Sequence, residues 1–223
     1  MLINLVELFP SYQGEGPDAG RRVLITRFKK CNRSCPWCDT VQKMNAHPGQ
    51  DYDLSEIQQL ISDFKTGLMI TGGEPTFSDN YEQTIFLLTN LYFPFANVES
   101  NGFFLPELIQ RVNLEKRYLT KYIKYIYSPK LFTNEDYEEA VITSEKIIED
   151  HQVYLKMVCS KLTYENNIKL LNFLGFSHTD RIYLMPEGTT EKQLKENSEM
   201  TLDLANRYHC NFTSRYHITY DFA

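Results

Sequence analysis

Three cysteines, Cys31, Cys35 and Cys38, fall within eight residues at the spacing C-x3-C-x2-C. Thiolates are soft donors that select iron–sulfur clusters, zinc or copper(I). A structural zinc takes four protein ligands, commonly as two separated pairs. A four-iron cubane held by three cysteines leaves one iron open to a further ligand. The spacing therefore favours a working cluster. Zinc with a fourth ligand from His47, Cys159 or Cys210 stays open as the other reading. Cys159 ends an apolar run and reads as a small buried hydrophobe.

Polar groups capable of binding sit at other turns. Tyr12-Gln13-Gly14-Glu15-Gly16-Pro17 combines glycines, which let backbone approach a ligand, with an amide and a carboxylate suited to a polar heterocycle. Arg27 interrupts an apolar stretch and could pair with a substrate carboxylate. Thr71-Gly72-Gly73-Glu74-Pro75 is a glycine turn with an acid, and Glu74 could meet an ammonium group. Each of these also has a plain reading as a loop, a solvent-facing residue or a strand-to-helix turn.

The elements that must position these residues alternate. Arg22 to Lys29 predicts a strand that feeds the cysteine loop, after a first segment that turns at Pro10-Ser11. Asp53 or Ser55 caps a helix with Leu54, Ile57, Leu60, Ile61 and Phe64 on one side. Strands over Gly67–Ile70, Phe95–Val98, Tyr122–Tyr127, Val153–Val158 and Arg181–Leu184 are separated by helices. The last helix runs from Glu191 to Tyr208, and Phe212 to Tyr220 predicts a final strand. Alternation of this kind gives βαβ units and a mainly parallel sheet of about six strands, too few for an eight-stranded barrel. Ligands gather where loops leave the carboxyl ends of such strands.

The 223 residues, 42% hydrophobic and 23% charged, predict one globular domain over 1–223. A net charge of −6 argues against broad nucleic-acid binding. No apolar run approaches a membrane span and Met1 leads into no signal-peptide pattern, so the expected setting is cytoplasmic.

In this order along the chain, Gln13-Gly14-Glu15-Gly16, Arg27, Cys31 to Thr40, Thr71 to Pro75, Glu99-Ser100-Asn101-Gly102, Ser128-Pro129-Lys130, Met185-Pro186 and His217 resemble the radical S-adenosylmethionine superfamily. More narrowly, they are similar to the 7-carboxy-7-deazaguanine synthase family. The resemblance implies an α/β fold, a shortened, partly open (β/α) barrel, usually as a homodimer. It implies that Cys31, Cys35 and Cys38 hold a [4Fe–4S] cluster and that Thr40 binds magnesium. Residues toward S-adenosylmethionine would be Trp37, Cys38, Asp39, Gly73, Glu74, Ser100, Ser128, Pro129 and Lys130. Those toward substrate would be Tyr12, Gln13, Gly14, Glu15, Arg27, Thr71, His217 and Ala223.

The implied activity is radical ring contraction of 6-carboxy-5,6,7,8-tetrahydropterin to 7-carboxy-7-deazaguanine with loss of ammonia, in queuosine-type biosynthesis. A reducing partner such as a flavodoxin would supply electrons. A glycyl-radical-enzyme activase with the same cluster, acting on a partner protein, is the alternative enzyme. A zinc-stabilised binding module is the non-catalytic one.

Overall fold

The computed structural model describes residues 1–38, 47–115, 120–175 and 177–222. The fold is α/β with a mostly parallel sheet, and the chain divides into two compact units. One comprises Met1–Tyr12 and Arg21–Tyr125; the other comprises Gln13–Gly20 and Ile126–Ala223.

In the first unit, β1 (Ile3–Leu5) pairs antiparallel with β4 (Gln50–Tyr52). The main strands there are β2 (Glu7–Tyr12), β3 (Arg22–Phe28), β5 (Gly67–Gly72) and β6 (Ala96–Ser100). β3, β5 and β6 run parallel, and β2 pairs antiparallel with β3 at the edge. Val23, Leu24, Leu68, Ile70 and Val98 are fully buried, the near-continuous apolar pattern of strands covered on both faces. The expected turn at Pro10-Ser11 does not occur. β2 runs straight through it, with Pro10 opposite Leu24, because an edge strand tolerates a residue that lacks an N–H.

Among the described residues of this unit the helices are α1 (Leu54–Phe64), α2 (Asp79–Asn90) and α3 (Leu105–Glu115). α1 starts at a capping box. The Asp53 carboxylate accepts from Ser55 N and Glu56 N, and the Glu56 side chain accepts from Asp53 N. Such a cap contributes about 1 kcal/mol. Ile57 and Ile61 form its buried face, as their spacing predicts.

β7 (Ile123–Tyr127) leads the chain into the second unit. There β8 (Val153–Cys159), β9 (Ile182–Pro186) and β10 (Asn211–Phe212) run parallel in that order. The helices are α4 (Asn134–Ile147), α5 (Tyr164–Leu174), α6 (Glu191–Tyr208) and α7 (Tyr216–Thr219). The strand expected over Phe212 to Tyr220 is corrected here. β10 stops at Phe212, and the Tyr220 N–H closes a helical turn on Tyr216 O at 2.8 Å. Tyr216 and Tyr220 then stack at i,i+4 with ring centroids 6.1 Å apart, a spacing that alternation of apolar residues mimics over so short a stretch.

Candidate active site

The cysteine loop begins where β3 ends. Its first residues are held against the end of β5: Gly73 N donates to Phe28 O at 2.8 Å and Glu74 N to Lys30 O at 2.8 Å. Asn80 Nδ2 donates to the same Lys30 carbonyl at 2.9 Å. A Cβ on Gly73 would run into that carbonyl, so this position requires a residue without a side chain. Further along, Arg33 N donates to Cys31 Sγ at 3.4 Å and Cys38 N to Cys35 O at 3.2 Å.

Cys31, Cys35 and Cys38 are free thiols, each half-buried, on this one loop. Burial pushes the Cys31 thiol up, and the nearby charges of Glu74, Cys35 and Cys38 push the same way. Among the described residues, no three His, Cys, Asp or Glu side chains make a site for a single metal ion. Three soft thiol donors on one short loop are a donor set that suits a cubane with one iron left open. Of the other zinc-ligand candidates, Cys159 is fully buried with its thiol pushed up to about 12 by burial, and it receives a 3.4 Å contact from Asn167 Nδ2. Cys210 is pushed up to about 11, also by burial.

Glu74 turns inward. Its Oε1 accepts from Thr76 N at 3.1 Å, Thr76 Oγ1 at 2.7 Å and Ser100 Oγ at 2.7 Å, and its Oε2 accepts from Asn101 N at 2.7 Å. Burial still raises its pKa against these donors. Glu74 and Ser100 therefore tie the end of β5 to the end of β6. Asn101 continues the chain of contacts by donating Nδ2 to Asn32 Oδ1 in the cysteine loop at 2.9 Å. On β3, Arg27 lies in register with Thr71 of β5 and with Glu7 of β2. Its Nε donates to Glu7 Oε2 at 2.5 Å, with side chains 15% and 19% exposed. Tyr12, at the end of β2, is exposed.

The second unit contains a charged cluster built on Glu15. Gln13 shapes its turn: Gln13 Oε1 accepts from Glu15 N at 3.2 Å, and Gln13 O from Gly20 N at 2.8 Å. Glu15 Oε2 pairs with Lys156 Nζ at 2.6 Å and Oε1 with Arg215 Nε at 3.0 Å; His217 Nε2 lies 3.9 Å from Oε1. Burial alone would push the Glu15 carboxyl up. The Lys156, Arg215 and His217 charges outweigh it and hold the carboxyl far below the usual range. Tyr216 N donates to Gly14 O at 2.9 Å and Gly16 N to Thr213 Oγ1 at 2.9 Å. A Cβ on Gly14 would collide with the His217 ring. Arg215 Nη1 also donates to Gly188 O at 2.6 Å. Following β7, Lys130 Nζ donates to Ser128 Oγ at 3.3 Å, beside a buried Pro129.

The structure thus gathers Cys31, Cys35, Cys38, Gly73, Glu74 and Ser100 at neighbouring strand ends of the first unit. It gathers Gln13, Gly14, Glu15 and His217 in the second. Trp37 is half-buried on the cysteine loop. Asp39, Thr40 and Ala223 lie outside the described residues. Sequence reasoning gave no role to Lys156, Arg215, Glu7 or Asn32. Lys156 carried a signal, a lysine within the otherwise apolar run of β8.

A model of the Radical SAM superfamily matches residues 25–196. A protein of Haemophilus influenzae named 7-carboxy-7-deazaguanine synthase is 35% identical over 103 residues, 46% of this chain and 42% of that protein. One of the same name from Thermoplasma acidophilum is 43% identical over 72 residues, 32% of this chain and 34% of that protein. The chain therefore spans less than half the length of these curated relatives. The crystal structure of QueE from Escherichia coli superposes with a TM-score of 0.60 at 17% identity, over 97% of this chain and 95% of that one. At that identity the likeness is one of fold.

Proposed function

This chain belongs to the radical SAM superfamily, and from that premise we propose that it is a 7-carboxy-7-deazaguanine synthase. The reaction contracts the ring of 6-carboxy-5,6,7,8-tetrahydropterin and releases ammonia. The observation that carries this reading over other members of the superfamily is the joining of Gly14 and Glu15 to Arg215, Tyr216 and His217. These residues bring the Gln-Gly-Glu-Gly motif and the His217 segment into one cluster. Relatives named for this activity support the same reading.

Cys31, Cys35 and Cys38 would hold a [4Fe–4S] cluster, which with S-adenosylmethionine supplies one-electron chemistry when bound. The remaining roles fall to the chain's own residues. Gly73 keeps the loop seated by admitting the Lys30 carbonyl, and Glu74 with Ser100 fixes the neighbouring strand ends. Arg27, oriented by Glu7, offers a guanidinium to the substrate carboxylate. Gln13, Gly14 and His217 would meet the heterocycle. Glu15 holds the Arg215–His217 segment in place. Thr40 would take part in a magnesium site that also uses substrate oxygens. A reducing flavodoxin-type partner and a homodimer complete the proposal.

Anaerobic reconstitution followed by turnover with the tetrahydropterin, S-adenosylmethionine, magnesium and a reductant tests it. We expect about four irons per chain and formation of the deazaguanine product. Formation of 5′-deoxyadenosine without that product would sink the specific activity and leave superfamily membership intact.

A further inference from the structure

We propose that Asn32 and Asn101 form a latch that tunes the cluster through Cys31, an inference that rests on the cluster reading above. Asn101 follows β6, and its own position is fixed from both sides: its N–H donates to Glu74 Oε2 at 2.7 Å and its Oδ1 accepts from Phe103 N at 3.1 Å. It is buried, and from this fixed point Nδ2 donates to Asn32 Oδ1 at 2.9 Å. Asn32 lies between the ligand Cys31 and Arg33. Tethering its side chain restrains the Asn32–Arg33 peptide, whose N–H points at Cys31 Sγ at 3.4 Å.

That N–H matters once the sulfur ligates iron. The 4.0 Å contact from Cys31 Sγ to Asn32 Oδ1 needs a thiol proton, which a ligating thiolate no longer has. Among the described residues, the Arg33 N–H is then the donor directed at the sulfur. Hydrogen bonds to ligating sulfurs stabilise the more negative, reduced cluster and raise its potential. Asn101 and Asn32 are thus positioning residues, acting through the Arg33 amide.

The test uses Asn32→Ala, Asn101→Ala and the double variant of the full chain, each reconstituted anaerobically. Iron per chain and an electron-paramagnetic-resonance redox titration are read, with circular dichroism as the control for folding. We expect wild-type iron content and, at a fixed solution potential, a ratio of reduced to oxidised cluster about tenfold lower. For a one-electron couple this is about 59 mV. Because both single changes remove the same bond, the double variant should shift no further than either one. Iron-loaded variants that titrate at the wild-type potential would overturn the latch alone, as would shifts that add. Variants that lose their iron would overturn tuning in favour of a purely structural role. A wild-type chain that takes up no iron would overturn the cluster reading beneath it.

Discussion

Glu15 and Arg215 stand 200 positions apart, yet the carboxylate of one meets the guanidinium of the other at 3.0 Å with both side chains at most 15% exposed. Lys156 joins them at 2.6 Å from the opposite oxygen. One carboxylate therefore serves two buried cations drawn from β8 and from the segment before α7. Desolvating three charges is tolerable only because each has an opposite partner in contact. The carboxylate is spent on internal pairing, so within the proposed substrate pocket it acts by holding other residues in place.

Acid should dissolve this cluster. The folded Glu15 pKa is depressed, so its stabilisation is complete above the unfolded value of about 4.3 and is lost as pH falls below it toward the folded value. Glu15→Gln removes the carboxylate charge that faces both Lys156 and Arg215 and should cost about 3 kcal/mol at pH 7. Urea midpoints of wild type and variant should therefore differ most near neutrality and converge below pH 4. A difference that stays constant from pH 7 to pH 3 would show that the pair is not ionic.

Gly14 should be intolerant of even one carbon for a different reason. A Cβ there meets the His217 ring, while the Gly14 carbonyl is bonded to Tyr216 N. Gly14→Ala should cost about 1–3 kcal/mol from overpacking and lower kcat/KM at least tenfold. Adding His217→Ala should relieve the clash and restore the melting temperature without restoring turnover. Recovery of both would show that His217 only fills space.

Much of this architecture was legible in the residues. Parallel β3, β5 and β6 follow from their apolar runs, and the Asp53 cap and α1 face follow from spacing. Long-range polar pairing was not legible. Nothing local to Arg215 announces Glu15, and the inward turn of Glu74 depends on Ser100 and Asn101 arriving from the end of β6 as well as on nearby Thr76. The segment after Phe212 misled because tyrosines at i and i+4 fit a short helix while the intervening residues fit a strand.

Gly73→Ala should damage the cysteine loop more than Gly14→Ala damages its surroundings. The obstacle is the Lys30 backbone carbonyl, already bonded to Glu74 N and Asn80 Nδ2, so it cannot yield as a side chain can. A loss of about 3 kcal/mol is expected, with iron uptake on reconstitution falling in parallel. Asn80→Ala, which removes one of the two donors, should cost about 1 kcal/mol and retain iron. Equal effects from both changes would mean that the close approach at Gly73 is not what seats the loop.

Arg27 separates charge from geometry. Its Nε is committed to Glu7 on the neighbouring strand, which fixes the plane of the guanidinium. A lysine at this position keeps the positive charge but presents a single point, so it cannot hold Glu7 and a substrate carboxylate in the same arrangement. Arg27→Lys should raise the KM for the tetrahydropterin at least tenfold, about 1.4 kcal/mol, with a smaller effect on kcat. Glu7→Gln, which keeps an acceptor but removes the charge, should raise KM less. Iron content and circular dichroism should match wild type in both. If Arg27→Lys left KM unchanged while stability fell, Arg27 would belong to the β2–β3 pairing and not to the substrate.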